Sequence, residues 1–158
     1  MSLQETPISG GARWTGRIIS GLVTLFLLLD GAAKLFKPAV VVEGTLALGY
    51  PESSIIPLGI ALLASTLLYA FARTSTLGAI LLTGYLGGAV ATHVRIGHPL
   101  FTHTLFPVYL GVLIWLGLLL REPALRGLLP FRGEARLRPR VQASPRAEAL
   151  PIDVAAVV

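Results

Sequence analysis

The chain has 158 residues, of which 54% are hydrophobic and only 13% charged, and its formal net charge is +5. Soluble domains carry about 25% charged residues, so this composition, with a mean hydropathy of +0.75, excludes an ordinary water-soluble fold. Cysteine is absent, which rules out a thiolate nucleophile, thiol–disulfide exchange and an iron–sulfur centre held by the chain's own side chains.

Four apolar stretches, 18–36, 55–72, 77–94 and 105–120, organise the rest. Each approaches the ~20 residues that cross a hydrocarbon layer of about 30 Å. The pattern predicts an all-α, polytopic membrane four-helix bundle: an N-terminal tail over 1–16, a transmembrane domain over 17–121 and a basic tail over 122–158. The first helix, expected over 17–36, follows Arg13, Trp14 and Arg17. Together with Gly31, Ala32 and Ala33 this segment also has the layout of a signal peptide. Leu35 and Phe36 carry the apolar pattern past Asp30, however, and cleavage would move the Arg-rich tail to the wrong side, so the segment is read as a retained span. The loop 38–48 reads as a short helix on the rim of the bundle, with Pro38 at its start and Gly49 past its end. The second span begins after Ser53 and Ser54, with Pro57 in its first turn. The third contains Gly84 and Gly88, a small-xxx-small pair read as a helix-packing face. A phosphate loop is excluded there, since no strand precedes the glycines and no Lys follows in register. The fourth starts near Thr104, with Pro107 in its first turn. The tail mixes Arg with Pro and is expected to be disordered, held near anionic headgroups at about 1 kcal/mol per basic residue. No recognition fold accompanies its charge, so nucleic acid is not expected as a partner.

Orientation follows from the basic residues, which accumulate on the cytoplasmic side of membrane proteins. Arg13, Arg17, Arg73, Arg121 and the six arginines beyond it share one side, ten of the thirteen basic residues, while Lys34, Lys37 and Arg95 take the other. Both termini are therefore expected in the cytoplasm.

The same alternation gathers Asp30, Lys34, His93, Arg95 and His103 towards the outer rim, as a ligand-binding or structural polar cluster. Asp30 and Lys34 stand i, i+4, so they can meet on one helical face. Each charge costs about 2.5–3.5 kcal/mol at mid-membrane and each large apolar residue returns about 0.3–0.6. The eleven Leu, Ile, Phe and Val residues of the first span roughly offset the pair. Lys34 is the nearest partner for Asp30, with His93 and Arg95 as candidates from the third span, and the pair reads either as a structural ion pair or as a ligand or proton site. His93, His98 and His103 recur five apart, on different faces of any continuous helix, and Gly97 and Pro99 interrupt the helix between them. Spacing alone therefore favours interfacial hydrogen bonding over a metal or haem site, and no catalytic residue is assigned.

Certain motifs are more specific. Lys34-Leu-Phe-Lys-Pro, Val-Val-Glu-Gly at 41–44 and Leu48-Gly-Tyr-Pro are followed by Arg73-Thr and by a run over 77–101. That run holds Thr83-Gly-Tyr-Leu-Gly-Gly and Thr92-His-Val-Arg-Ile-Gly-His-Pro, and Phe106-Pro-Val-Tyr comes after it. Over roughly residues 17–132 the chain resembles the DoxX-like family of small bacterial membrane proteins. The resemblance implies a four-helix bundle in the bacterial cytoplasmic (inner) membrane. It also implies an acidic residue within the second span, where this chain has Leu62. The family takes its name from a subunit of a quinone-linked oxidase, so the resemblance implies a non-catalytic or accessory subunit of a redox or quinone-linked system, with a redox protein as partner. Quinone binding near Asp30, His93 and Arg95 as part of an oxidoreductase is the alternative. A small-solute or proton carrier is the third reading, for which a homodimer would have to enlarge the pathway, because inverted repeats are lacking.

Overall fold

The computed structural model describes residues 10–122 and residue 125. Five helices make up most of it: α1 (Gly10–Phe36), α2 (Ala39–Ala47), α3 (Ile55–Ala70), α4 (Ser75–Arg95) and α5 (Phe106–Arg121). A 3-10 turn at Glu52–Ser54 leads into α3, and a π-helical turn at Leu100–Thr104 leads into α5. The segments Gly10–Phe36, Glu52–Ala70, Ser75–Arg95 and Leu100–Arg121 are long and apolar enough to cross a membrane. The expected all-α, four-span architecture is thus the one formed, short inter-span helix included. The basic tail expected over 122–158 lies, but for residues 122 and 125, outside the described residues.

Local chemistry sets the helix ends. α1 begins at Gly10, inside the stretch expected as tail, and the Thr15 hydroxyl donates to the Gly11 carbonyl within its first turns. It stops before Pro38, since a proline bars the residue before it from the right-handed helical region. Lys37 takes φ of 50°, in the left-handed region and not the extended one that a following proline favours. α2 starts on Pro38 and closes at Gly49, whose φ of 79° suits a residue without Cβ.

α1 packs against α3 and α5, and α4 packs against the same two helices, so α1 and α4 face each other across the diagonal. Val23, Leu27, Leu62, Tyr69, Ala79, Leu82, Leu86, Ile114 and Leu118 form the buried core. The outside is apolar as well: Leu22, Leu25, Ile60, Leu67, Ile80 and Val112 are all exposed, as a lipid-facing surface requires. Hydroxyls on the spans return their hydrogen bonds to their own helix, Ser65 to Ala61, Thr66 to Leu62 and Thr83 to Ala79, so the hydrocarbon meets few unpaired polar atoms.

Close helix approach is arranged by glycines other than Gly84 and Gly88. A Cβ at Gly16 would lie 2.6 Å from the Leu120 Cβ, one at Gly117 2.6 Å from the Ser20 hydroxyl, and one at Gly31 2.7 Å from Leu63 Cγ. At Gly84 and Gly88 it would meet nothing within 4 Å, so neither glycine seats another of the described helices.

The end of the bundle where α1 starts and α5 stops is tied by Tyr69. Its hydroxyl donates to the Ile114 carbonyl at 2.9 Å and lies 3.0 Å from the Ser20 hydroxyl, joining α3, α5 and α1. Arg121 donates to the Tyr69 carbonyl at 2.8 Å, one of the acceptors left over at the C-terminus of α3, and its guanidinium lies 4.8 Å from the Tyr69 ring centre.

Candidate functional site

At the opposite end α1 and α4 do not close on each other, and a cavity of about 420 Å³ lies between them. Its walls are mainly apolar, with Phe26 and Leu27 from α1, Leu58 from α3, Leu86 and Ala89 from α4, and Phe106, Pro107 and Leu110 around the start of α5. Polar side chains sit towards one rim: Asp30, Lys34, Thr45, Tyr50, Thr92 and His93. This is the usual chemistry of a small-molecule site, an apolar enclosure with a few convergent polar groups.

Asp30 and Lys34 form the i, i+4 ion pair expected of them, with Lys34 Nζ 2.6 Å from Asp30 Oδ1. The pair stays on α1 and bridges no helices. One carboxylate oxygen is thereby committed to Lys34. Tyr85 also faces the cavity, within electrostatic reach of Asp30 and Tyr50.

Arg95 is placed elsewhere. It donates to the Leu48 carbonyl at 2.7 Å, and its guanidinium lies 5.9 Å from the Tyr50 ring centre, so it fixes the end of α2 onto α4 and does not line the cavity. The Tyr50 and Thr92 hydroxyls lie 2.8 Å apart, and the Thr92 hydroxyl donates to the Gly88 carbonyl; Tyr50 therefore supplies the proton between them. Lys37 and Glu52 pair across the same loop.

The histidines converge. α4 ends at Arg95, Gly97 turns the chain with φ of 70°, and after Pro99 the π-helical turn restarts the helix. His93 Nδ1 and His98 Nδ1 come to 2.8 Å, one donating to the other. The ring centres of His93, His98 and His103 are separated by 5.0, 5.0 and 6.0 Å. His93 lines the cavity, whereas His103 lies beyond it, exposed, with its Nδ1 2.8 Å from the Thr102 hydroxyl.

Of the expected cluster, then, Asp30, Lys34 and His93 share the cavity, while Arg95 braces the loop and His103 joins the histidine group. Tyr50, Tyr85 and Thr92 were not singled out from sequence as site residues, although all three lie within the motifs Leu48-Gly-Tyr-Pro, Thr83-Gly-Tyr and Thr92-His-Val-Arg. Gly84 and Gly88 belong to the cavity wall.

The family model of the DoxX-like family matches residues 18–117, nearly the whole of the four spans. Neither the curated proteins nor the solved structures contain a match to the chain.

Proposed function

Because the chain belongs to the DoxX-like family, we propose that it is a non-catalytic, ligand-holding subunit of a redox or quinone-linked membrane system, with the cavity between α1 and α4 as the place where a quinone headgroup rests. The observation that carries this reading is the enclosure itself. It has room for a substituted ring at about 420 Å³, apolar walls for that ring and a polar rim at one end. A quinone presents two carbonyl acceptors on a flat apolar body, and Tyr85 and Lys34 offer donors to them. The chain has no cysteine, so an iron–sulfur centre that passed electrons to the quinone would belong to a partner protein.

The test is purification in mild detergent followed by solvent extraction and mass spectrometry of bound lipids and of co-purifying proteins. Stoichiometric quinone supports the reading, and quinone absent from a protein with a constant partner reduces it to an accessory role without a ligand. Asp30→Asn releases Lys34 from its ion pair and is expected to change quinone retention by about 10-fold or more, on the scale of a hydrogen bond to a charged group. Retention unchanged in both Asp30→Asn and Tyr85→Phe would remove the cavity from consideration.

In this reading the cavity opens towards the outer leaflet of a bacterial inner membrane, with both termini cytoplasmic, as supported by the asymmetry of the basic residues. Reporter fusions check the orientation. A C-terminal alkaline phosphatase is expected to be inactive and a C-terminal green fluorescent protein bright; the reverse pattern would invert the assignment.

A further inference from the structure

We infer that a cleft at the end of the bundle where α1 starts and α5 stops binds the headgroup of one anionic phospholipid, with Arg17 and Arg121 as the cationic partners of its phosphate. The inference is independent of the quinone reading, whose cavity lies at the opposite end. The cleft has a volume of about 320 Å³, and its walls include Arg17, Gly21, Thr24, Leu25 and Leu28 of α1 and Arg121 of α5.

The order of side chains along α1 is the first argument. Positions 17, 21, 24, 25 and 28 stand i, i+4, i+7, i+8 and i+11, so they share one helical face. Along it come a charge, a glycine, a hydroxyl and then leucines. At 1.5 Å per residue, Arg17 and Leu28 are about 16 Å apart along the axis. A phosphate, an ester region and the upper part of an acyl chain follow one another in the same order. Trp14, exposed one turn before Arg17, is of the aromatic type that settles at the headgroup layer, which puts Arg17 at that depth. A Cβ at Gly21 would meet nothing within 4 Å, so the face is open between the charge and the hydroxyl.

Unmet hydrogen-bonding capacity is the second. Arg121 gives one N–H to the Tyr69 carbonyl at 2.8 Å, and its Nε is buried with no partner among the described residues. Buried unpaired donors are rare, and each calls for an acceptor. Arg17 is exposed and takes part in neither ion pair among the described residues, since these join Lys34 to Asp30 and Lys37 to Glu52. Glu122 follows Arg121 in the chain but forms no ion pair with it. Two guanidinium groups thus line one cleft without a carboxylate, and their planar forks match phosphate oxygens. Arg121 also covers a carbonyl at the C-terminal end of α3, whose partial negative charge would oppose an anion. Ser20 is already committed: the Tyr69 hydroxyl donates to Ile114, so the Ser20 hydroxyl donates to Tyr69. Thr24 differs from Ser65, Thr66 and Thr83, which bond back to their own helix; it makes no such bond among the described residues, and its O–H is open to a lipid ester carbonyl.

The experiment is native mass spectrometry of the full chain released from neutral detergent micelles that contain equal amounts of phosphatidylglycerol and phosphatidylcholine, with inorganic phosphate as a separate addition. One phosphatidylglycerol per chain is expected, retained about 10-fold or more over phosphatidylcholine, and inorganic phosphate at equal concentration should not displace it. Arg17→Gln should lower retention about 10-fold, on the scale of a hydrogen bond to a charged group. Gly21→Leu adds bulk to the cleft at unchanged charge and should lower retention by a similar factor. Arg73→Gln removes a positive charge from the turn between α3 and α4, at the same end but outside the cleft, and should change retention less than about 2-fold, as for a screened surface charge. Unchanged thermal midpoints in lipid-free detergent verify the fold of all three variants. Equal retention of the two lipids, displacement by inorganic phosphate, a loss in Arg73→Gln as large as in Arg17→Gln, or retention unchanged in both Arg17→Gln and Gly21→Leu would each overturn the site.

Discussion

Gly78→Ala is expected to lower the unfolding midpoint of the detergent-solubilised protein sharply, by an amount equivalent to roughly 1–3 kcal/mol or more. A Cβ at residue 78 would stand 2.5 Å from the Tyr69 Cα and 2.7 Å from the Leu68 carbonyl carbon. Those are main-chain atoms of α3, so relief requires the two helices to separate where the turn between them holds them together. Separation would also disturb Tyr69, which links three helices through Ser20 and Ile114. A methyl group at residue 31 meets the branched end of Leu63 and calls for a smaller adjustment, whereas one at residue 84 or 88 meets nothing within 4 Å. The expected order of midpoints is therefore Gly84→Ala and Gly88→Ala near the parent, Gly31→Ala lower and Gly78→Ala lowest. Equal midpoints for the variants at 78 and 84 would show that the α3–α4 contact is looser than described.

Leu62→Glu is expected to be at least as damaging. Position 62 is where the family resemblance implies an acid, yet here Leu62 is 0% exposed within the apolar core. A carboxylate at such a position lacks a partner and costs several kcal/mol, so the side chain would protonate or the bundle would loosen to admit water. Leu62→Met, similar in volume, should cost less than about 1.5 kcal/mol. The measurement is the amount of folded protein recovered from the membrane together with its thermal midpoint. If Leu62→Glu matched Leu62→Met in both, the core around residue 62 would have to contain a concealed polar partner.

The features legible in the sequence were those that depend on local periodicity. Four apolar runs gave four spans, Pro38 and Gly49 bracketed the short helix, and the i, i+4 spacing of Asp30 and Lys34 became a 2.6 Å ion pair. Contacts that depend on how the chain turns between helices were hidden. The histidines, five apart, fall on different faces of an ideal helix and meet only because Gly97 takes φ of 70° and a π-helical turn follows Pro99. The Tyr50–Thr92 hydrogen bond and the Arg95 bond to Leu48 join residues more than forty positions apart, and no pattern along the chain announces them. Glycines were legible as small but not by role: Gly16, Gly31, Gly78 and Gly117 seat neighbouring helices, and the more conspicuous Gly84 and Gly88 do not.

Those two glycines leave a strip of bare α4 backbone along one wall of the cavity. A planar ring can lie against such a strip at van der Waals distance, where any side chain would hold it away. The strip is also a reserve of volume, because a Cβ added at residue 88 meets nothing within 4 Å, and Ala, Val and Leu there form a series of increasing bulk on the cavity wall. In that series the bulk at which a bound molecule is expelled measures the thickness of that molecule.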